Sequence, residues 1–232
     1  MSQRFGPYSM PISDLSATTI SAAMTTSLLG RHVIYLPTVP STMDVALEAS
    51  MSGVPEGTLV IAEEQSLGRG RFQRTWISPH GLNLYLSLVL NPRLNEIPQI
   101  GMMASLGIAK SIAKLAPNID TPTIKWPNDV RIRDRKIAGI LIDNKLSDYN
   151  ESAISILGIG LNVNLETKSI PEIKDSATSL LEELGHPISR LQALVTTLNE
   201  IEQLYLEIKA GKSLREEWAS LIDTIGHWVQ VS

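Results

Sequence analysis

A chain of 232 residues with 43% hydrophobic and 19% charged side chains carries enough apolar material for a sizeable folded core. Its net charge of -4 argues against a general nucleic-acid binder, which needs a basic face for phosphate, and its lack of cysteine excludes disulfide frameworks, thiolate metal sites and a cysteine nucleophile. No apolar run approaches the ~20 residues of a membrane span, so no membrane contact is expected, and the cytoplasm is the expected compartment.

Residues 1–13 read as a frayed arm. Asp14 to Leu29 places Leu15, Ile20, Ala23, Met24 and Leu28 at spacings that predict a short amphipathic helix and not a signal peptide. HVIYL predicts a strand. Ser41 followed three residues later by Asp44 resembles a capping box opening the helix STMDVALEAS. TLVIAEEQ is a second strand that delivers Gln65 to a basic loop, GRGRFQRTW. In LNLYLSLVL beyond it, Leu82, Leu84, Leu86, Leu88 and Leu90 share one face, which is predicted core. Ile97 to Leu115 is a helix whose small residues allow close packing. TIKWP, VRI, KIAGILID and AISILGIGLNVN then predict four strands. Leu191, Leu194, Val195, Leu198, Ile201, Leu204, Tyr205 and Ile208 follow helical spacing. A last short helix surrounds Trp218, and HWVQVS reads as the start of a strand.

Four segments carry candidate chemistry. A turn built on Gly68 and Gly70 can approach a ligand closely, and the forks of Arg69, Arg71 and Arg74 suit carboxylate or phosphate. A solvated basic loop is an equal reading of these residues alone. The loop is neither a Walker loop nor a GxGxxG turn, since Gln73 takes the third glycine position. KWPND, from Lys125 to Asp129, sets a cation, an indole, an amide and a carboxylate at a strand end, or else is a plain turn with Asn128 and Asp129 serving backbone bonds. Lys136 heads the apolar run KIAGIL, as a solvated edge guard or as a cation aimed at a ligand, and Gly139 permits close backbone approach. Gly158 and Gly160 weaken the strand GIGLNVN unless something lies against the bare backbone.

GRGRFQRTW, KWPND, KIAGIL and GIGLNVN, in this order, resemble the catalytic domain of biotin protein ligases from about Arg31 to the chain's end. The resemblance implies an α+β fold, a mixed β-sheet flanked by helices and related to class II aminoacyl-tRNA synthetases. It implies biotin as substrate and ATP with Mg2+ as co-substrate, giving biotinyl-5′-AMP, then transfer to a lysine of the biotin carboxyl carrier protein of acetyl-CoA carboxylase or a related carboxylase. By the same resemblance Ser41, Thr42 and Gln65 would bond the ureido ring. Trp76, Gly158 and Gly160 would wall the tail, with Gly139 giving close approach. Gly68 and Arg69 would enclose the biotin and its carboxylate, beside Lys136. Arg71, Arg74 and Lys125 would face the nucleotide phosphates, Asn128 and Asn162 the adenine end, and Trp218 the base. Asp129 would hold the metal-bound phosphates or the acceptor lysine, and Lys136, Arg71 and Asp129 form the expected catalytic set.

Met43 departs from the asparagine that some members carry after the Ser-Thr pair. Residues 1–30 are expected to be an arm and connecting helix without a winged helix-turn-helix, so DNA is not an expected partner, while a homodimer stays open. Residues 31–225 are the expected catalytic domain, and 226–232 the start of a C-terminal β-domain. Two other readings remain: a lipoate-protein ligase, whose RRxxGGGxVFHD segment has no counterpart here, and a non-enzymatic ligand-binding relative.

Overall fold

A computed structural model describes residues 14–146 and 153–226. Its strands are β1 (Val33–Val39), β2 (Leu59–Gln65), β3 (Leu84–Leu90), β4 (Thr123–Lys125), β5 (Asp129–Ile132), β6 (Arg135–Leu146) and β7 (Ala153–Leu161). They form one mixed sheet in the order β1-β2-β3-β7-β6-β5-β4. β1 and β2 run parallel, which requires a crossover, and helix α2 (Thr42–Met51) supplies it; every other pair is antiparallel. Helices α1 (Ala17–Ala23), α3 (Ile97–Leu115) and α5 (Arg190–Lys209) pack on the face opposite α2, joined by the short α4 (Leu180–Leu184) and α6 (Arg215–Ser220). None of these helices is long and apolar enough to cross a membrane.

The alternation in β3 explains the layering. Leu84, Leu86, Leu88 and Leu90 enter the main core with Ile100, Met103 and Leu106 of α3 and Leu194, Leu198 and Ile201 of α5. The other face is buried as well: Tyr85, Ser87 and Val89 are at most 1% exposed. The period-two pattern therefore predicts the core face correctly from Leu84 to Leu90, while Leu82 lies before the strand, only partly buried and outside the core; it also conceals that β3 is a central strand covered by helices on both sides. α3 spans the predicted range, and its small residues permit the expected contact: a Cβ on Gly107 would lie 2.7 Å from Ile201 of α5.

Two local expectations are corrected. The first helix covers Ala17–Ala23 and not Asp14 to Leu29, because the backbone beyond it has another partner. The Glu202 carboxylate of α5 accepts from the main-chain N–H groups of Ser27, Leu28 and Leu29 at 2.6–2.8 Å, and from the Ser27 hydroxyl. Amides that would have continued a helix are held by one carboxylate instead. At α2, Ser41 is the N-cap and accepts from Met43 N, but Asp44 does not close a capping box; it pairs with Arg69 at 2.7 Å. The predicted arm at 1–13 and the strand at HWVQVS lie outside the described residues.

Burial of Glu202 favours its neutral form, yet the bonds from Leu29, Ser27 and Leu28 outweigh it and hold the carboxyl below its usual range. A depressed folded-state pKa contributes stability that is full above the unfolded value of ~4.3 and is lost as pH falls through the folded one. Glu202→Gln should therefore lower stability at neutral pH by about 1–3 kcal/mol, as expected for bonds to a charged acceptor. The gap from wild type should shrink below pH ~4, measured by urea unfolding across a pH series. A gap that is constant from neutral to acid pH would remove the charged carboxylate as its cause.

Candidate active site

The sheet register gathers the chemically distinctive residues on the α2 face. One row crosses all seven strands: Lys125, Asp129, Gly139, Gly160, Tyr85, Ala62 and Leu36 are successive pairing partners. The next row runs Leu141, Gly158, Ser87, Val60, Ile34. Above them a narrow cavity of about 50 Å³ lies between the α2 N-terminus, the loop after β2, and strands β6 and β7. Ser41, Thr42, Gln65, Arg69, Arg71, Trp76, Asn128, Lys136, Gly139, Gly158 and Gly160 all line it.

What covers the glycines differs from the simplest expectation. The indole of Trp76 lies flat on the paired Gly139 and Gly160, where added Cβ atoms would come within 2.8 and 2.4 Å of the ring. Met43 lies on Gly158, whose Cβ would be 2.4 Å from the thioether sulfur. Trp76 Nε1 is buried with no acceptor among the described residues. Ligand pockets typically offer ~300–1,000 Å³, so the present cavity, floored by glycines that Trp76 and Met43 cover, is small by that measure.

The loop that carries the indole is closed at its base. Arg69 and Thr75 form a β-bridge, Trp76 N donates to Gly68 O at 2.8 Å, and Gly70 N donates to Arg74 O at 2.7 Å. Gly68 is required by close approach, since a Cβ there would lie 2.4 Å from the Trp76 carbonyl. At the tip, Phe72 adopts φ 54° and is 81% exposed, with the Arg71 guanidinium 4.9 Å from its ring centre. A bulky residue in that conformation is strained. Tyr85, pushed well above the usual phenol range by burial, stays protonated and donates to Pro79 O beyond the loop.

A hydrogen-bond relay joins the loop to α2, and its sense is fixed from its ends. Thr42 N can only donate, so the 2.9 Å contact identifies Gln65 Oε1 as the acceptor and turns Nε2 toward Ser78 Oγ at 3.1 Å. The Trp76 carbonyl can only accept, so the Ser78 hydrogen goes there at 3.0 Å. Thr42 Oγ1 also donates to Gln65 Oε1, leaving Ser87 to donate to Thr42 at 2.9 Å. Ser41 Oγ accepts from Met43 N and keeps its own hydrogen. The cavity is thus offered two donors, Ser41 O–H and the second Gln65 Nε2–H, and one acceptor, a Thr42 lone pair.

The cations stand at the other end. Lys136 Nζ is 2.7 Å from Asp129 Oδ1, an ion pair without hydrogen-bond angles, and 5.1 Å from the Trp76 ring centre. β6 is an interior strand, so the edge-guard reading of Lys136 falls away. Arg71 Nη1 donates to Asn128 Oδ1 at 3.4 Å, while Asn128 Nδ2 donates to Ile140 O and its carbonyl accepts from Ile140 N. Asn128 thus serves backbone groups of β6, as a plain turn would, and its amide oxygen also meets the loop arginine.

Other expected residues stand apart. Arg74 and Lys125 are exposed and do not line the cavity. Asn162 is buried, donating to Thr178 O and accepting from Asn83. Trp218 is on the opposite face of the sheet, its indole donating to Ser105 of α3 at 3.0 Å. The sequence reading missed Ser78 and Ser87, although a lone serine in LYLSLVL and one beside Pro79 just after the loop are visible signals.

A mixed sheet carrying a small cavity lined by two arginines and a lysine, under a glycine-arginine loop, defines an α+β protein with a candidate small-molecule site. The model of the Biotin/lipoate A/B protein ligase family matches residues 35–162, and the chain belongs to that family. The bifunctional ligase/repressor BirA of Bacillus spizizenii is 37% identical over 82% of this chain, which spans 59% of that protein's length, less than two thirds. The biotin--[acetyl-CoA-carboxylase] ligase of Mycobacterium tuberculosis is 31% identical over 81% of the chain and 69% of the relative. Biotin protein ligase from Aquifex aeolicus in complex with biotin and ATP superposes with a TM-score of 0.70 at 31% identity, covering 83% of this chain and 79% of that one. The fold is that of biotin protein ligase catalytic domains, as the resemblance implies.

Adding a methyl group at Gly158 pushes on Met43, and this contact can be isolated. Gly158→Ala should destabilise by about 1–3 kcal/mol through overpacking. In a Met43→Ala background the same change should be less harmful by at least ~1 kcal/mol, measured by urea unfolding of the four proteins. Additivity would mean that the thioether does not cover Gly158 in solution.

Proposed function

We propose that this chain is an ATP-dependent biotin protein ligase, with residues 31–225 as its catalytic domain. The observation that carries the reading is the polarity of the cavity. Two donors and an acceptor at the Ser41, Thr42 and Gln65 end complement a cyclic urea, whose oxygen accepts and whose N–H donates; Lys136 and Arg71 at the other end suit a carboxylate and a phosphate. The family's Aquifex member, solved with biotin and ATP, supports the same substrates.

In the first step a biotin carboxylate oxygen attacks the α-phosphorus of ATP, a new P–O bond forms, and pyrophosphate leaves with the electrons of the bond that breaks. Bringing two anions together is opposed by their charge, and fixed cations lower that barrier. Lys136 would stay beside the carboxylate while Arg71 turns from Asn128 to phosphate. In the second step the amine of a carrier-domain lysine attacks the acyl carbon, a C–N bond forms, AMP leaves and the amine loses a proton. The carrier is a biotin carboxyl carrier domain, in keeping with the name of the mycobacterial relative.

Asp129 is the carboxylate nearest these groups, and no cluster of three metal-ligating side chains exists among the described residues. That donor set fits Mg2+ borne by nucleotide phosphates, since Mg2+ is commonly held by one or two carboxylates plus phosphate and water. The ion would neutralise phosphate charge.

The test is pyrophosphate–ATP exchange with biotin or lipoate as the acid. Exchange that requires biotin is expected; exchange with lipoate alone, or none with either, would overturn the reading. Within the active protein, Lys136→Ala should slow exchange about 10²-fold while biotin affinity by calorimetry changes far less, because an electrostatic contact that strengthens in the transition state acts mainly on rate. Equal losses in both would make Lys136 a ground-state binding group.

A further inference from the structure

Ser78 is 7% exposed and lies outside the cavity lining, yet its hydroxyl is the junction between the ring-facing amide and the loop. It accepts from Gln65 Nε2 at 3.1 Å and donates to the Trp76 carbonyl at 3.0 Å. The space it occupies exists because Gly68 has no side chain: a Cβ there would lie 2.7 Å from Ser78 Oγ. Gln65 N also approaches the Ser78 carbonyl, at 3.4 Å. The two Gln65 contacts tie the end of β2 to the exit of the loop.

An amide side chain can present either its oxygen or its nitrogen to a ligand, and three contacts decide the matter for Gln65, two from Thr42 on its oxygen and one to Ser78 from its nitrogen. Thr42 N–H claims the oxygen on one side. Ser78 Oγ claims the nitrogen on the other, and cannot be recruited as a donor without stripping the Trp76 carbonyl of its bond.

We propose that Ser78 is a specificity-determining positioning residue: by pinning Gln65 Nε2 it makes the cavity present an N–H donor, and so selects a ligand bearing a carbonyl-type acceptor at that point. The proposal rests on the biotin reading and adds to it a residue that acts through Gln65. A site whose polar groups are fixed in sense discriminates against a ligand of reversed polarity, because the mismatch leaves buried groups unpaired. Without Ser78 the amide keeps its two oxygen-side contacts from Thr42 but loses the partner of its nitrogen, and discrimination by sense weakens more than binding in general.

The probe pair is biotin and 2-iminobiotin, whose cyclic guanidine offers an N–H donor where biotin has its ureido oxygen. Dissociation constants for both are measured by calorimetry on the full chain. The wild-type preference for biotin should fall about tenfold in Ser78→Ala, the scale of one neutral hydrogen bond. In a Gln65→Ala background, Ser78→Ala should leave the preference unchanged. If Ser78→Ala weakens both ligands equally, the residue is merely structural and the proposal is overturned. It is also overturned if Ser78→Ala still alters the preference when Gln65 is absent. Should Ser78→Ala fail to fold, Ser78→Cys keeps the size with weaker bonding and should give an intermediate preference; a wild-type ratio there would count against the assignment. A wild-type chain that binds neither compound would instead sink the biotin reading itself.

Discussion

The contact between the Trp76 indole and the facing glycines of β6 and β7 is the constraint around which the site is arranged. Gly139 and Gly160 are register partners, so their bare backbones make one flat surface in a sheet row whose other members are Lys125, Asp129, Tyr85, Ala62 and Leu36. An aromatic ring fits there and a methyl does not. Once the ring is seated, the loop that carries it must close over the cavity, which brings Arg69 to Asp44 and Arg71 to Asn128. The strain at Phe72 follows from the same closure, since a short loop pinned at Gly68 and Trp76 must turn sharply at its tip.

Much of this arrangement is legible from residue type. Glycines inside a strand announce a close approach, and the spacing of GRGRFQRTW, KIAGIL and GIGLNVN points to one site. The identity of what approaches is not legible, because strand register is a tertiary fact: Gly139 and Gly160 are 21 positions apart and become neighbours only through the β6–β7 hairpin. Met43 shows the same limit. Sequence marks it only as an apolar departure from the asparagine of some family members, and its perch on Gly158 depends on how the α2 crossover lies on the sheet. The resemblance assigns Trp218 to the base, whereas α6 turns it onto α3, where a buried serine accepts from its N–H.

The fold also explains why a polar chain of four side chains can survive in an apolar layer. Ser87 is fully buried in a central strand and would be unfavourable there without a partner. Thr42 supplies that partner and passes the sense of its own bond to Gln65 and then to Ser78. Because a main-chain N–H sits at one end and a main-chain carbonyl at the other, no hydroxyl can rotate without leaving a buried group unsatisfied. Rigidity of hydrogen-bond sense, more than of position, is what such a network gives a binding site.

The charged end is organised on the opposite plan. Arg69, Arg71 and Lys136 each already have a protein partner: Asp44, Asn128 and Asp129. A bound carboxylate or phosphate would therefore exchange partners instead of meeting bare cations, and the three contacts differ in how readily they yield. The Arg69–Asp44 pair is about half exposed and so weakly held; the Arg71–Asn128 bond is long and involves a neutral acceptor; Lys136 and Asp129 are both largely sequestered and face each other across adjacent strands. The loop arginines are thus the more loosely held cations, and the strand lysine the more firmly held one. An acidic chain can in this way concentrate positive charge at one cavity while giving each cation a protein partner, loosely for those on the loop and firmly for the one on the strand.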